Sequence, residues 1–199
     1  MQKIPINIAV EDDLSEAVLK KILNNSGLYM IGTCLKRQGF GYLKRNVRGF
    51  NNAAKGKAFL LLTDLDKTEC APSLIQKWLP IPKHPNFLFR VAVREVESWV
   101  LASRSEFADF LKISKELIPI KPDEIYDPKQ LLINLAKKSR NRELREAIVP
   151  KAGSTAKIGP DYNGSFAQFI ADSWNINEAA QYSPSLKRTV NTIRQFKPK

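Results

Sequence analysis

The sequence predicts an α/β fold in which a parallel sheet of about four strands has helices on both faces. In the first half of the chain, short apolar segments alternate with segments of helical periodicity, as they do where helices connect parallel strands. The second half has helical periodicity without a clear strand. With 199 residues, of which 43% are hydrophobic, the chain can form one domain with a sizeable core and a smaller appendage.

Each element follows from its periodicity and its end signals. Residues 4–10 predict the first strand, and the helix after it begins at a cap, Asp12 or Asp13, and ends before Gly27. Further strands are predicted at 28–34, 58–62 and 87–93, and further helices at 42–54, 72–79, 94–102, 128–138, 140–148, 166–174 and 184–196. We therefore expect an α/β domain at 1–104 and a helical extension at 105–199 that packs on it and is not independent.

The composition excludes several classes of function. The single histidine, His84, lies in a proline-rich segment, so a histidine-based zinc site and a Ser–His–Asp triad are almost excluded. Cys34 and Cys70 are isolated and predict no disulfide framework. No apolar run is long enough to span a bilayer, and the N-terminus lacks a secretory signal. We therefore expect a cytoplasmic protein that does not associate with a membrane. Metal chemistry must then use carboxylates, which favours magnesium or manganese.

Two aspartates follow the most apolar predicted strand, at residues 58–62. Asp64 and Asp66 lie just beyond its carboxyl end, where ligands bind in open α/β sheets. Residues i and i+2 of an extended segment point the same way, so we expect both carboxylates to face one cation. Taken alone, the motif also fits an ordinary solvated turn.

Acidic residues follow two other predicted strands. Glu11 ends the first strand, and Glu95 and Glu97 follow the fourth. Because the ends of parallel strands share one edge, these acids would repel each other unless a cation lies among them. We therefore predict a metal site at this edge, with Glu97 as a further ligand. Ion pairs with Arg94 or with a basic helix are the alternative for Glu95 and Glu97.

The net charge of +12 favours a polyanionic partner, of which nucleic acid is the commonest, although solubility alone is an alternative. Residues 35–57 contain no acid and include three aromatic residues that could stack on bases or form a core face; for Phe50 we expect the core. No base-reading motif distinguishes DNA from RNA. The candidate nucleic-acid contacts in this segment are Lys36, Arg37, Lys44, Arg45 and Arg48.

Two motifs together resemble the Toprim domain of topoisomerases, primases and OLD-family nucleases. One is Ile6-Asn7-Ile8-Ala9-Val10-Glu11 before a helix, and the other is Leu60-Leu61-Leu62-Thr63-Asp64-Leu65-Asp66. The segment at 89–102, with Arg94-Glu95-Val96-Glu97-Ser98-Trp99 within it, more specifically resembles a block of the DUF4276 family of small prokaryotic Toprim-like proteins. The later segments at 127–129, 157–159 and 165–169 resemble the tail of that family.

This resemblance implies a Toprim nuclease, a hydrolase that uses Mg²⁺ or Mn²⁺, in phage defence beside a partner ATPase. Asp64 and Asp66 take the place of the metal-binding pair, and Glu11 that of the general acid/base or metal ligand. Lys157 is a further phosphate-binding candidate or a plain surface lysine. Toprim proteins usually have glycine after the glutamate, where Asp12 stands here, so either the turn differs or the metal site is altered.

Two other functions remain open. Asp64-Leu65-Asp66-Lys67-Thr68 also fits the opening motif of HAD phosphatases, with Asp64 as nucleophile, but a complete strand–helix–strand–helix unit precedes it. The second alternative is a non-catalytic nucleic-acid-binding or regulatory subunit. No Walker A motif is present, so ATP hydrolysis would belong to the partner. An oligomer is compatible with the sequence.

Overall fold

The computed structural model describes residues 2–36 and 39–199 and divides into two compact units. We call them unit 1, which contains the chain up to Val93 together with Arg188–Lys199, and unit 2, which is Arg94–Lys187. The sequence placed its boundary at residue 104, whereas these units divide at 93/94 and at 187/188. The last twelve residues therefore belong with the first half of the chain rather than with the helical segment before them.

Unit 1 is built on a four-stranded sheet of order β2-β1-β3-β4 in which every pair is parallel. Helices connect the strands, which confirms the predicted α/β fold class. The elements are β1 (Ile4–Val10), α1 (Asp13–Ser26), β2 (Tyr29–Lys36), α2 (Gly39–Ala53), β3 (Ala58–Asp64), α3 (Ala71–Trp78) and β4 (Phe87–Ala92). The capped start of α1 and the proline at the start of α3 are as predicted.

The core of unit 1 is centred on β3, whose seven residues are all buried. One face of β3 packs against α2 and α3, where Phe50 stacks on Phe59 with ring centroids 5.0 Å apart. Phe50 is therefore a core residue, as predicted. Burial of one such aromatic side chain stabilises the fold by roughly 1.5–3 kcal/mol. The apolar segment that predicted a buried strand is therefore β3, and α2 and α3 cover one of its faces.

The opposite face of the sheet is covered by α1 and by the last helix of the chain. The buried side of α1 contributes nothing to the cluster formed with α2 and α3. The Tyr29 hydroxyl donates to the carbonyl oxygen of Ile193 at 2.5 Å, and Arg90 Nε donates to Thr189 Oγ1 at 3.3 Å. Helices therefore flank both faces of the sheet.

Unit 2 is helical, and no strand occurs among its residues, all of which are described. Its large buried side chains include Trp99, Phe107 and Phe166. Its helices are α4 (Val96–Ala102), α5 (Arg104–Leu111), α6 (Pro128–Lys137), α7 (Arg142–Ile148), α8 (Tyr162–Asp172), α9 (Ile176–Tyr182) and the start of α10 (Pro184–Gln195). The four helices predicted after residue 127 are confirmed with shifted ends, whereas α5 and α9 were not predicted. Among the described helices, none has both the length and the apolar character that a membrane span requires.

Candidate active site

Glu11 joins the ends of two neighbouring strands. It follows β1 directly, and its Oε1 accepts hydrogen bonds from the backbone N–H of Asp64, at 2.9 Å, and from the hydroxyl of Thr63. Thr63 and Asp64 are the last two residues of β3. The carboxyl ends of β1 and β3 therefore meet at one edge of the sheet, as the parallel topology predicted.

The environment of Glu11 favours a proton on its carboxyl group. Burial raises the pKa of Glu11, and the negative charges of Asp66 and Asp12 raise it further, while the hydrogen bonds from Thr63 and Asp64 act in the opposite direction. In the part of the chain that the structure describes, Oε2 of Glu11 makes no hydrogen bond. One oxygen thus fixes the side chain, and the other can exchange a proton.

Asp64 and Asp66 have different environments although they are two residues apart. Asp64 ends β3 and is 9% exposed, whereas Asp66 is exposed and has a left-handed backbone with φ of 49°. The turn forms because Leu65 N–H still donates to Ala92 in β4 and Thr68 N–H then donates back to Leu65. The expectation that both aspartates lie on one extended segment is therefore wrong, since the chain leaves the strand conformation at Asp66.

Asp12 caps helix α1, as predicted. Its Oδ1 accepts a hydrogen bond from the backbone N–H of Ser15 at 2.8 Å. The backbone of Asp12 is extended, with φ of −148°, so this position does not require the conformational freedom of glycine. The departure from the usual Toprim glycine is therefore compatible with the turn between β1 and α1.

The acids of unit 1 are the ligand type that hard divalent cations prefer, but they are not arranged as a preformed metal site. Glu11, Asp64 and Asp66 offer only carboxylate oxygens, which magnesium and manganese prefer. Within residues 2–36 and 39–199, no group of three or more His, Cys, Asp or Glu side chains is arranged to hold a metal ion. Magnesium usually retains several waters and binds one or two carboxylates, so the donor set fits this ion without a three-carboxylate group.

The other predicted ligand, Glu97, lies in unit 2 and has partners there. Its side chain is 2% exposed, and its Oε1 lies 3.2 Å from Lys129 Nζ and accepts a hydrogen bond from the Tyr162 hydroxyl at 3.1 Å. This ion pair is made with Lys129 of α6, whose charged residues are lysines, so pairing with a basic helix, one of the alternatives for Glu97, is present. Its role as a metal ligand stays a prediction.

Glu95 lies beside this buried group. Its Oε2 accepts a hydrogen bond from the backbone N–H of Lys129 at 3.1 Å. Burial raises the pKa of Glu95 to about 7, and the negative charge of Glu97 contributes to the increase. Sequence reasoning did not identify Lys129 or Tyr162 as partners of these acids, and the Asp127-Pro128-Lys129 motif was the available signal for the former.

Three of the predicted nucleic-acid contacts form an exposed basic face on α2. Lys44, Arg45 and Arg48 are all exposed, and among the described residues none of them is in a salt bridge. Lys157 is also exposed, in the loop before α8. Arg37 lies outside the described residues.

Lys36, in contrast, already has two carboxylate partners. It pairs with Asp13 and, at 2.7 Å, with Glu16. Burial alone would raise the pKa of Glu16, but hydrogen bonds from Lys20 and Lys36 lower it to about 2. The charge of Lys36 is therefore largely neutralised within unit 1, although the residue stays a candidate contact.

Comparisons with family models, with curated proteins and with solved structures find no match for this chain. The Toprim and DUF4276 resemblance therefore depends on the quoted motifs alone.

Proposed function

We propose that this protein is a metal-dependent nuclease, or a related phosphodiester-cleaving enzyme of Toprim type. The observation that supports the proposal best is the position of the Glu11 carboxyl group together with its raised pKa. A carboxyl group is oriented at the ligand-binding edge of a parallel sheet, its pKa is raised by burial, and two further acids act on it electrostatically. General acid/base residues commonly have this kind of environment.

The protein residues have distinct roles in this proposal. Thr63 and the backbone of Asp64 hold Glu11 through Oε1, so that its Oε2 can remove a proton from a nucleophile or return one to a leaving group. Asp64 and Asp66 would hold Mg²⁺ or Mn²⁺. When bound, such an ion would polarise the phosphate and reduce the charge that develops on its oxygens.

The biological setting is proposed from the resemblance and from charge. The exposed cations of α2 and the net charge of +12 favour a nucleic-acid substrate, DNA or RNA. The family resemblance favours a role in prokaryotic phage defence, in the cytoplasm, beside a partner ATPase.

A second candidate is a non-catalytic nucleic-acid-binding subunit. It is favoured by the unpaired, exposed Lys44, Arg45 and Arg48 and by the lack of a three-ligand metal group among the described residues. This subunit would bind the phosphate backbone through α2 and would leave cleavage to its partner.

A cleavage assay tests the first candidate. Plasmid DNA, single-stranded DNA and transfer RNA are incubated with Mg²⁺ or Mn²⁺ and with wild type, Glu11→Gln or the double variant Asp64→Asn/Asp66→Asn. We expect both variants to lose at least about 100-fold in rate, because general acid/base catalysis and metal binding each contribute that much. Glu69→Gln is the matched control, because Glu69 is an exposed acid that follows the same strand. This variant should cleave at the wild-type rate. Unchanged cleavage in both site variants would remove the proposal.

The same proteins separate the two candidates. If wild type does not cleave but binds the nucleic acid with strong salt dependence, and the double aspartate variant binds equally well, the binding subunit is favoured. In that case replacing Lys44, Arg45 and Arg48 by glutamine should weaken binding and lower its salt dependence. A pull-down would then identify the catalytic partner.

A further inference from the structure

Unit 2 contains a cavity of about 550 Å³ in which every charged lining residue is positive. Three cations, one hydroxyl group and two aliphatic side chains surround it, and no carboxylate does. The cavity is open to solvent, since all its lining residues except Ile113 are exposed, and its volume lies within the roughly 300–1,000 Å³ range of small-molecule sites. The lining residues are Lys112, Ile113, Ser114, Leu117, Lys138 and Arg140.

The cavity is formed where two helices end. Lys112 follows α5 in a left-handed conformation, with φ of 53°, and Lys138 is the C-cap of α6. Between these helix ends, the buried hydroxyl of Ser139 donates to the carbonyl oxygen of Leu111 at 2.6 Å. Ser139 Oγ also accepts from the N–H of Asn141 at 3.1 Å. These hydrogen bonds join the ends of the two helices, so the backbone positions from which the three cations project are fixed.

The three cations are not neutralised by nearby acids. In the described part of the chain, Lys112, Lys138 and Arg140 are in no salt bridge. The acid beside the lining is Glu116, which accepts a hydrogen bond from Ser114; that bond, with the charges of Arg104 and Lys115, lowers its pKa.

The helix ends reduce this positive charge only in part. Each helix C-terminus contributes roughly half a negative charge. Two helices end here and the Glu116 carboxylate lies beside Ser114, against three full positive charges on the lining residues, so an excess of about one positive charge remains. An anionic group entering the cavity therefore meets a net attraction.

The aliphatic lining indicates what accompanies the anionic group. Ile113 and Leu117 border the cavity beside the cations, and 41% of Leu117 is exposed. Exposed apolar surface beside cations that are in no salt bridge suits a ligand with an anionic group and an apolar part. We infer that this cavity binds a nucleoside phosphate, with the phosphate on Lys112, Lys138 and Arg140 and the base on Ile113 and Leu117.

A free nucleotide and a nucleotide within a single strand share this chemistry. The inference does not depend on the proposed cleavage activity, because all the residues it uses belong to unit 2 and none is a predicted metal ligand. Binding can therefore be measured without divalent ions, and Glu11→Gln should bind as well as wild type.

The test is isothermal titration of the full chain, in EDTA, with adenosine monophosphate, adenosine, inorganic phosphate and a short oligothymidylate. We expect adenosine monophosphate to bind at least about tenfold more tightly than adenosine, because charge-assisted hydrogen bonds reach only the phosphate. Lys138→Gln/Arg140→Gln should weaken the binding of adenosine monophosphate by about tenfold or more. The control Lys137→Gln/Arg142→Gln removes the same charge from adjacent positions that do not line the cavity, and should stay within about twofold of wild type.

The outcomes divide clearly. Equal affinity for adenosine and its monophosphate, equal weakening in the control, or no detectable binding of the monophosphate at millimolar concentration would each overturn the inference. If oligothymidylate binds and competes with the monophosphate, the ligand is part of a strand, and if it does not, the ligand is a free nucleotide. If circular dichroism shows that the double variant does not fold, the single variant Lys112→Gln replaces it and should also weaken the binding of adenosine monophosphate.

Discussion

Glu11 of unit 1 and Glu97 of unit 2 are glutamates withdrawn from solvent in two different ways. Glu11 is half-buried and accepts hydrogen bonds from two neutral donors, the Thr63 hydroxyl and the backbone N–H of Asp64. It has no salt bridge among the described residues. Glu97 is fully buried and has the ammonium group of Lys129 within 3.2 Å. Unit 2 therefore supplies a cation to its buried carboxylate, whereas in the described part of unit 1 Glu11 has neutral donors and a pKa that burial raises.

The largest effect is expected from removing the cation of unit 2. Lys129→Met deletes the ammonium group that faces Glu97 and leaves a carboxylate that is 2% exposed. Because Lys129 is itself 38% exposed and Glu97 keeps its hydrogen bond from Tyr162, the free energy of unfolding should fall by roughly 1.5–3 kcal/mol, less than for a fully buried pair. Urea unfolding at pH 7 measures it, with Lys137→Met on the exposed side of the same helix as control. A loss equal to that of the control would show that the ion pair does not compensate Glu97.

An intermediate effect with a defined pH dependence is expected at Glu95. Its pKa is raised from 4.5 to about 7 by burial and by Glu97, with Asp127 adding to the rise and Lys129 opposing it. The folded state therefore binds the proton more tightly, and this stability is present below pH 4.5 and lost as the pH rises through 7. Glu95→Gln should be more stable than wild type at pH 8 by about 1–2 kcal/mol, after allowance for solvent screening, and similar at pH 4. A constant difference between thermal midpoints from pH 4 to pH 8 would contradict this assignment.

The smallest effect on stability is expected at Glu11. Glutamine keeps the oxygen that accepts from Thr63 and Asp64, so Glu11→Gln should stay within about 1 kcal/mol of wild type at pH 5. Because burial raises the pKa of Glu11, wild type loses stability as the pH rises through that pKa, and the variant does not. The thermal midpoint of the variant relative to wild type should therefore rise between pH 5 and pH 8. A fall over that range would mean that the charged form is the stabilised one.

The stability added by Mg²⁺, measured in the same unfolding experiments, further distinguishes Glu11 from Glu97. An ion that binds only the folded protein at ten times its Kd adds about 1.4 kcal/mol of stability. We expect this increase in wild type and in Lys129→Met, and a smaller one in Glu11→Gln. An equal increase in Glu11→Gln would remove Glu11 from the ion-binding group.

Local signals in the sequence predicted much of unit 1. The limits of β1 are as predicted, because an apolar strand bounded by polar residues is a local pattern. The contact between Glu11 and Asp64 was also predictable, although 53 residues separate them, since parallel connectivity brings strand ends to one edge.

Other features depended on tertiary contacts and could not be predicted. Asp66 adopts a left-handed backbone that non-glycine residues rarely use, and the alternation rule for strands does not extend to it. Lys129 and Tyr162 meet Glu97 from separate helices, and nothing in the sequence around Glu97 indicates these partners. The helix at Arg104–Leu111, in contrast, was missed although Phe107, Ala108 and Leu111 have the spacing of one helix face.

The return of residues 188–199 to unit 1 has a consequence for synthesis on the ribosome. Tyr29 receives its hydrogen-bond partner, Ile193, 164 residues after it has been made. Until residues 188–199 have been made, β2 and its neighbours lack the helix that completes one face of their sheet. The nascent chain must therefore keep an incomplete apolar face from aggregating until these residues leave the exit tunnel. Translation that stops before residue 188 would leave this face uncovered permanently.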